Sequence, residues 1–155
     1  MLGGKASSFC CYCTPSQFCL KIHSVKYRDN LSEYMASTPF VTIIIPIRNE
    51  THYIERTLNA VIAQNYPSNR MEVLIVDGMS SDGTRKICKQ ITQKASGIQF
   101  RILDNHKKIV PAALNIGFRE AKGEIIIRVD GHCEIAPDYV RQCVRFLLEE
   151  NDNVQ

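Results

Sequence analysis

A chain of 155 residues, 45% hydrophobic and 23% charged, has the make-up of one globular domain and leaves no room for a second core. Its net charge of +3 contains no block of like sign, so it offers no electrostatic footprint for nucleic acid. No run approaches the roughly 18 apolar residues that cross a bilayer, and the N-terminus lacks a continuous apolar stretch of signal-peptide type. The expectation is a cytoplasmic protein, with peripheral association at the inner face of a membrane left open.

Residues 1–38 carry neither helical nor strand periodicity and include Gly3-Gly4, Ser7-Ser8 and Pro15. They read as a disordered leader, or as sequence upstream of a start at Met35. Cys10-x-x-Cys13 followed by Cys19 and His23 has the spacing of a small zinc site, but no strand and helix pattern of a zinc module surrounds it. The pattern switches at Thr38-Pro39-Phe40, and residues 39–155 form the predicted domain.

Val41–Ile47 is the first predicted strand, followed by Arg48-Asn49-Glu50. A helix over about residues 51–64 puts Ile54, Leu58, Val61 and Ile62 on one face and stops before Asn65-Tyr66-Pro67. A second strand, Val73–Val76, ends at Asp77, after which Asp82-Gly83-Thr84 caps a helix with Ile87, Cys88 and Ile91 in its stripe. A third, Phe100–Leu103, leads to Asn105 and Lys107-Lys108, and Pro111 sits in the first turn of a helix carrying Leu114, Phe118 and Ala121. The fourth, Ile125–Val129, ends at Asp130-Gly131-His132. Pro137 then opens a helix with Val140, Cys143, Val144, Leu147 and Leu148 inward. Cys88, Cys133 and Cys143 read as buried thiols in a reducing compartment.

Four βα units in succession predict an α/β fold, a doubly wound and mostly parallel sheet whose ligand crevice lies beyond the carboxyl ends of the strands. The polar residues fall there. Asp77 can accept two hydrogen bonds from a base or ribose. Asp130 and His132, two positions apart on a short turn, suit a divalent ion bridging a diphosphate, and a carboxylate with an imidazole suits Mn²⁺ better than Mg²⁺. Glu50 stands either near a base or simply at a favourable helix N-terminus. Lys107 and Lys108 are either solvated or within reach of phosphates. The first βα turn, Pro46 to Glu50, has no glycine, which excludes the dinucleotide fingerprint.

Taken together, Val41-Thr42-Ile43-Ile44-Ile45-Pro46 with Asn49-Glu50, Gln64-x-Tyr66-Pro67, Glu72 through Gly78 and Ser81-Asp82-Gly83-Thr84 resemble the family 2 glycosyltransferases of GT-A (Rossmann-like) fold. Ala113-Leu114-Asn115-x-Gly117, Ala121-x-Gly123-Glu124 and Asp130-x-His132 continue that resemblance, which covers about residues 40 to 140. Arg128-Val129-Asp130-Gly131-His132 is most similar to the branch that builds succinoglycan-type exopolysaccharides. The resemblance implies inverting transfer of a sugar from a nucleotide diphosphate donor, usually UDP, to a glycan or lipid-linked acceptor, assisted by Mn²⁺ or Mg²⁺. Pro46, Asn49 and Glu50 would line the base and ribose pocket, Asp77 would bind the uracil edge, and Asp130 would contact ribose and metal. His132 stands where the family's second acidic metal ligand would be.

The family's general base lies well downstream of this turn, so it is expected beyond Gln155, with Glu134 and Asp138 too near the turn to be assigned. A sheet ending here is expected to be incomplete at its C-terminus, making the chain the donor-binding half of the enzyme, poorly active alone. The alternative is an inactive nucleotide-binding fragment without an acceptor site.

Overall fold

The computed structural model describes residues 19–21 and 38–149. In chain order the elements are β1 (Cys19–Lys21), β2 (Val41–Ile47), α1 (Ile54–Ile62), β3 (Met71–Asp77), α2 (Thr84–Thr92), β4 (Gln99–Asp104), α3 (Val110–Glu120), β5 (Ile125–Arg128) and α4 (Tyr139–Glu149). The sheet order is β1-β5-β2-β3-β4. The four strands expected from the sequence are mutually parallel, and β1 adds to β5 in the antiparallel sense.

Every residue of β2 and β3 is buried, because helices cover both faces of these central strands. Alternation then decides which layer each side chain joins. Ile43, Ile45, Ile47, Val73 and Ile75 meet α1, α2 and α4 through Leu58, Val61, Cys88, Val140 and Cys143. Ile44, Leu74, Val76 and Ile126 face the other way, onto α3 at Ala113. Cys88, Cys133 and Cys143 are buried, and desolvation pushes the Cys88 thiol up to about 12, far from reactive. No helix among the described residues is long and apolar enough to cross a membrane.

One strand was not legible. Cys19–Lys21 pairs with Ile125–Ile127, within a segment that shows no strand pattern in the sequence. Three residues are too few to display a period of two, and their strand is specified by the edge they join. The rest of the predicted leader, including Cys10, Cys13, His23 and Met35, lies outside the described residues. Of the four cysteine and histidine positions of the possible zinc site, only Cys19 falls within them.

Buried polar groups hold the layers in place. Glu72 is buried in β3, and its carboxylate accepts from Thr42 Oγ1 at 2.7 Å, Lys122 N at 2.6 Å and Arg101 Nη2 at 3.4 Å. This ties the α3–β5 turn to the sheet centre and satisfies a charge that would otherwise be costly. Gln64 joins α1 to α4. Its Nε2 donates to the carbonyls of Ala60 and Ala136, and its Oε1 accepts from Val140 N. Gly123 lies against β2 so closely that a Cβ there would stand 2.4 Å from Thr42 N and 2.9 Å from the Ile125 carbonyl oxygen. Both obstacles are backbone and cannot step aside. Gly123→Ala should therefore destabilise the fold by about 1–3 kcal/mol, read as a lowered urea midpoint, and an unchanged midpoint would contradict this close approach.

Candidate functional site

At the carboxyl ends of the parallel strands lies a cleft of about 290 Å³. Pro46, Ile47, Arg48 and Glu50 reach it from the end of β2, Arg128 from the end of β5, and Asp130 and His132 from the turn that follows. Asn105, Lys108, Ile109 and Val110 form a further wall, running from the loop after β4 into α3. That wall is built locally. Asn105 N donates to the Asp77 carbonyl at 2.8 Å, its Nδ2 donates to the Ile109 carbonyl at 2.9 Å, and Lys108 turns back through a φ of 59°.

The Asp130-Gly131-His132 turn is fixed from three sides. Cys133 N donates to the Asp130 carbonyl at 3.0 Å, and buried Thr57 Oγ1 in α1 donates to the Gly131 carbonyl at 3.0 Å. A Cβ on Gly131 would meet Ile47 Cγ2 at 2.8 Å, so the turn sits directly on β2. The Arg128 guanidinium forks onto Asp130, Nε to Oδ1 at 2.8 Å and Nη2 to Oδ2 at 3.1 Å. His132 Nδ1 lies 3.2 Å from Glu50 Oε1. With its hydrogen on Nδ1, the ring donates to Glu50 and leaves Nε2 as the acceptor nitrogen.

Asp130, His132 and Cys133 each offer one ligand atom, and these atoms lie within 4.8 Å of one another. Carboxylate, imidazole and a buried thiol form a mixed oxygen, nitrogen and sulfur set. Such a set fits Mn²⁺ or a softer divalent ion and suits Mg²⁺ poorly. An ion here would share the Asp130 carboxylate with Arg128.

Of the residues singled out in the sequence, Pro46, Arg48, Glu50, Asn105, Lys108, Asp130 and His132 come together around this cleft. Asn49 and Asp77 do not line it. Asp77 is buried, with Oδ1 accepting from Ser80 N and Ser80 Oγ and Oδ2 accepting from Arg85 Nη1 at 3.2 Å. Arg85 also pairs with Asp104, and the two carboxylates hold its guanidinium still more firmly protonated. Asn49 adopts a φ of 58°, its Oδ1 accepts from Ser81 N, and its own N–H donates to Ser80 Oγ. Asn49 therefore braces the loop after β2 against the loop after β3, and Asp77 holds the latter from within. Lys107 does not line the cleft. Glu134 pairs with Arg56, and Asp138 accepts from Gln142, both away from it.

Arg128 and the Ile109-Val110 wall were not among the predicted site residues. A signal existed for Arg128, the one charge at the end of an otherwise apolar strand. None existed for Ile109 and Val110, whose exposure of 55% and 44% follows from tertiary placement.

Asp82 completes the bracing. Its carboxylate accepts from the hydroxyl and N–H of both Thr51 and Thr84. Hydrogen bonds from the Thr51 and then the Thr84 hydroxyl hold its pKa well below the ordinary 3.8. A depressed carboxylate contributes stability above its unfolded pKa and loses that contribution as pH falls toward the folded value. The melting temperature of the native chain should thus fall more steeply below pH 4 than that of Asp82→Asn. Parallel acid limbs would show that Asp82 carries no such linkage.

The model of Glycosyl transferase family 2 matches residues 42–155. The chain is 41% identical over 100 residues to the glycosyltransferase AglE of Haloferax volcanii, covering 64% of this chain and 33% of that protein. It is 35% identical over 119 residues to the succinoglycan biosynthesis protein ExoA of Rhizobium meliloti, covering 76% and 35%. The exopolysaccharide branch is thus among the relatives, and the similarity extends beyond it. Among solved structures, the mannosyltransferase PcManGT of Pyrobaculum calidifontis, in complex with GDP-Man and Mn²⁺, superposes with a TM-score of 0.68 at 30% identity over 72% of this chain and 33% of that one. The chain spans about a third of the length of each of these proteins.

Proposed function

The chain belongs to glycosyl transferase family 2, and on that premise we propose that its cleft binds the nucleoside diphosphate of a sugar donor, UDP-sugar by preference, in an inverting, cation-assisted transfer to a glycan or lipid-linked acceptor. The observation that carries this reading is the convergence of Arg48, Lys108, Arg128, Asp130 and His132 on one cleft at the strand ends. Three basic side chains against two carboxylates and an imidazole leave an excess of positive charge, which favours a ligand with several negative charges. The likeness to a protein solved with GDP-Man and Mn²⁺ supports a nucleotide-sugar donor and makes GDP the necessary comparison.

In the reaction, the acceptor hydroxyl attacks the anomeric carbon opposite the diphosphate. The new carbon–oxygen bond forms as the bond to the diphosphate breaks, and the electron pair leaves with the diphosphate. A general base takes the hydroxyl proton. A divalent cation held by Asp130 and His132 would supply positive charge where the diphosphate becomes more negative. Arg48 and Lys108 contribute fixed charge at the same cleft, and Glu50 orients the imidazole of His132. Asn49, Asp77 and Asp82 brace the two loops beside which a base and ribose would lie.

Calorimetric titration of the chain with UDP, GDP and NAD, with and without Mn²⁺, tests the reading. Saturable UDP binding that strengthens with Mn²⁺, with that Mn²⁺-dependent increment lost in Asp130→Asn, is the expected result. A folded chain that ignores both UDP and GDP would overturn it, and a preference for GDP would reassign the base.

A further inference from the structure

Arg128 occupies an unusual position. The three residues before it in β5 are isoleucines exposed by 2% or less, and the strand then delivers a guanidinium into the cleft. Nothing in the apolar packing of a parallel strand calls for a charge there. The guanidinium grips both oxygens of Asp130 in a side-on fork, at 2.8 and 3.1 Å, and both partners remain partly exposed, 29% and 21%. A planar guanidinium satisfies a carboxylate in this bidentate way and keeps its charge at any physiological pH.

Two consequences follow for an anionic ligand. The fork holds the Asp130 carboxylate in place without an ion, and so competes with any ion for its lone pairs. It also puts a permanent positive charge beside the set Asp130, His132 and Cys133, whose ligand atoms lie within 4.8 Å of one another. A divalent cation entering there meets a like charge and a carboxylate already engaged. A diphosphate entering there meets a cation already fixed. The cleft then carries Arg48, Lys108 and Arg128 against Glu50 and Asp130, three basic side chains to two acidic ones, before any metal is added.

We propose that Arg128 is a charge-supplying and positioning residue for the donor diphosphate, substituting in part for the divalent cation and weakening the hold of the site on it. The inference rests on the donor-binding reading above and adds to it. The chain binds a nucleoside diphosphate appreciably without metal, and metal enhances that binding only modestly.

The test uses the 155-residue chain and its Arg128→Met and Arg128→Lys variants, with folding checked by circular dichroism. Two quantities are read: UDP affinity by calorimetry in excess chelator, and Mn²⁺ affinity from the paramagnetic resonance signal of the unbound ion. Arg128→Met is expected to lose about tenfold or more in ion-free UDP affinity, as when a charge-assisted hydrogen bond is removed, while binding Mn²⁺ about threefold or more tighter as the like charge and the competing fork disappear. Arg128→Lys keeps the charge without the fork and is expected to hold ion-free UDP affinity within about threefold of the native chain.

Opposite changes in the two affinities would not arise from a merely structural role. Native protein that binds UDP only with Mn²⁺ would overturn the inference and leave the donor site standing. A methionine variant unchanged in both affinities, or a lysine variant as impaired as methionine, would also overturn it. Native protein that takes Mn²⁺ but no nucleoside diphosphate under any condition would sink the donor reading first and this inference with it.

Discussion

The parallel pairing of β2 with β3 on one side and β5 on the other is the constraint on which the rest of the molecule depends. The register sets Ile47 beside Asp77, Asp77 beside Asp104, and Ile44 beside Arg128. Because the strands run the same way, four separate loops emerge along one edge, within reach of one another. Burial on both faces fixes that register, since a slip of one residue would turn Ile43, Ile45 and Ile47 toward α3 and Ile44 toward α1. The cleft is thus a by-product of isoleucine packing, and its polar residues are passengers on strands placed by their apolar neighbours.

Once there, the polar groups are organised as pairs rather than left waiting for a ligand. Asp130 is held by Arg128, His132 by Glu50, and Asp77 by Ser80 and Arg85. Such pairing limits reorganisation when charge arrives, which is the property electrostatic stabilisation requires. It also divides the strand ends into two sets of contacts. One side, around Asn49, Asp77 and Asp82, carries the hydrogen bonds that keep two loops together. The other, around Arg48, Lys108, Arg128 and Asp130, faces the open cleft and carries its field.

The legible part of this architecture was the part written in periodicity. β2 appeared in the sequence with its boundaries intact, since Val41 to Ile47 is a run of β-branched residues broken only by Pro46 and followed by the polar Arg48-Asn49. β3 begins two residues earlier than its apolar run, because Glu72 is buried by pairing with Thr42 and Arg101 rather than by its own character. A buried acid reads as exposed until its partners are known. β1 was invisible for a different reason, being too short to have a pattern. At the site, Pro46, Glu50, Asp130 and His132 could be named from their positions at strand ends. The bracing contacts of Asn49 could not, because Ser80 and Ser81 meet it from another loop; those of Asp77 are local, to Ser80 and Arg85 on the turn and helix that follow it, but its place at a strand tip suggested a ligand instead.

Among the described residues, three without glycine's freedom take up left-handed backbone: Asn49, Met79 and Lys108, with φ near 58°, 60° and 59°. Each belongs to a different loop at the strand ends, and only asparagine among them tolerates that conformation well. A glycine in the place of Met79 or Lys108 would relieve backbone strain but surrender a side chain at the rim. The rim is therefore where this chain is least optimised for its own folding. Selection for stability alone would erode the loops around the cleft before it touched the isoleucine layers beneath them.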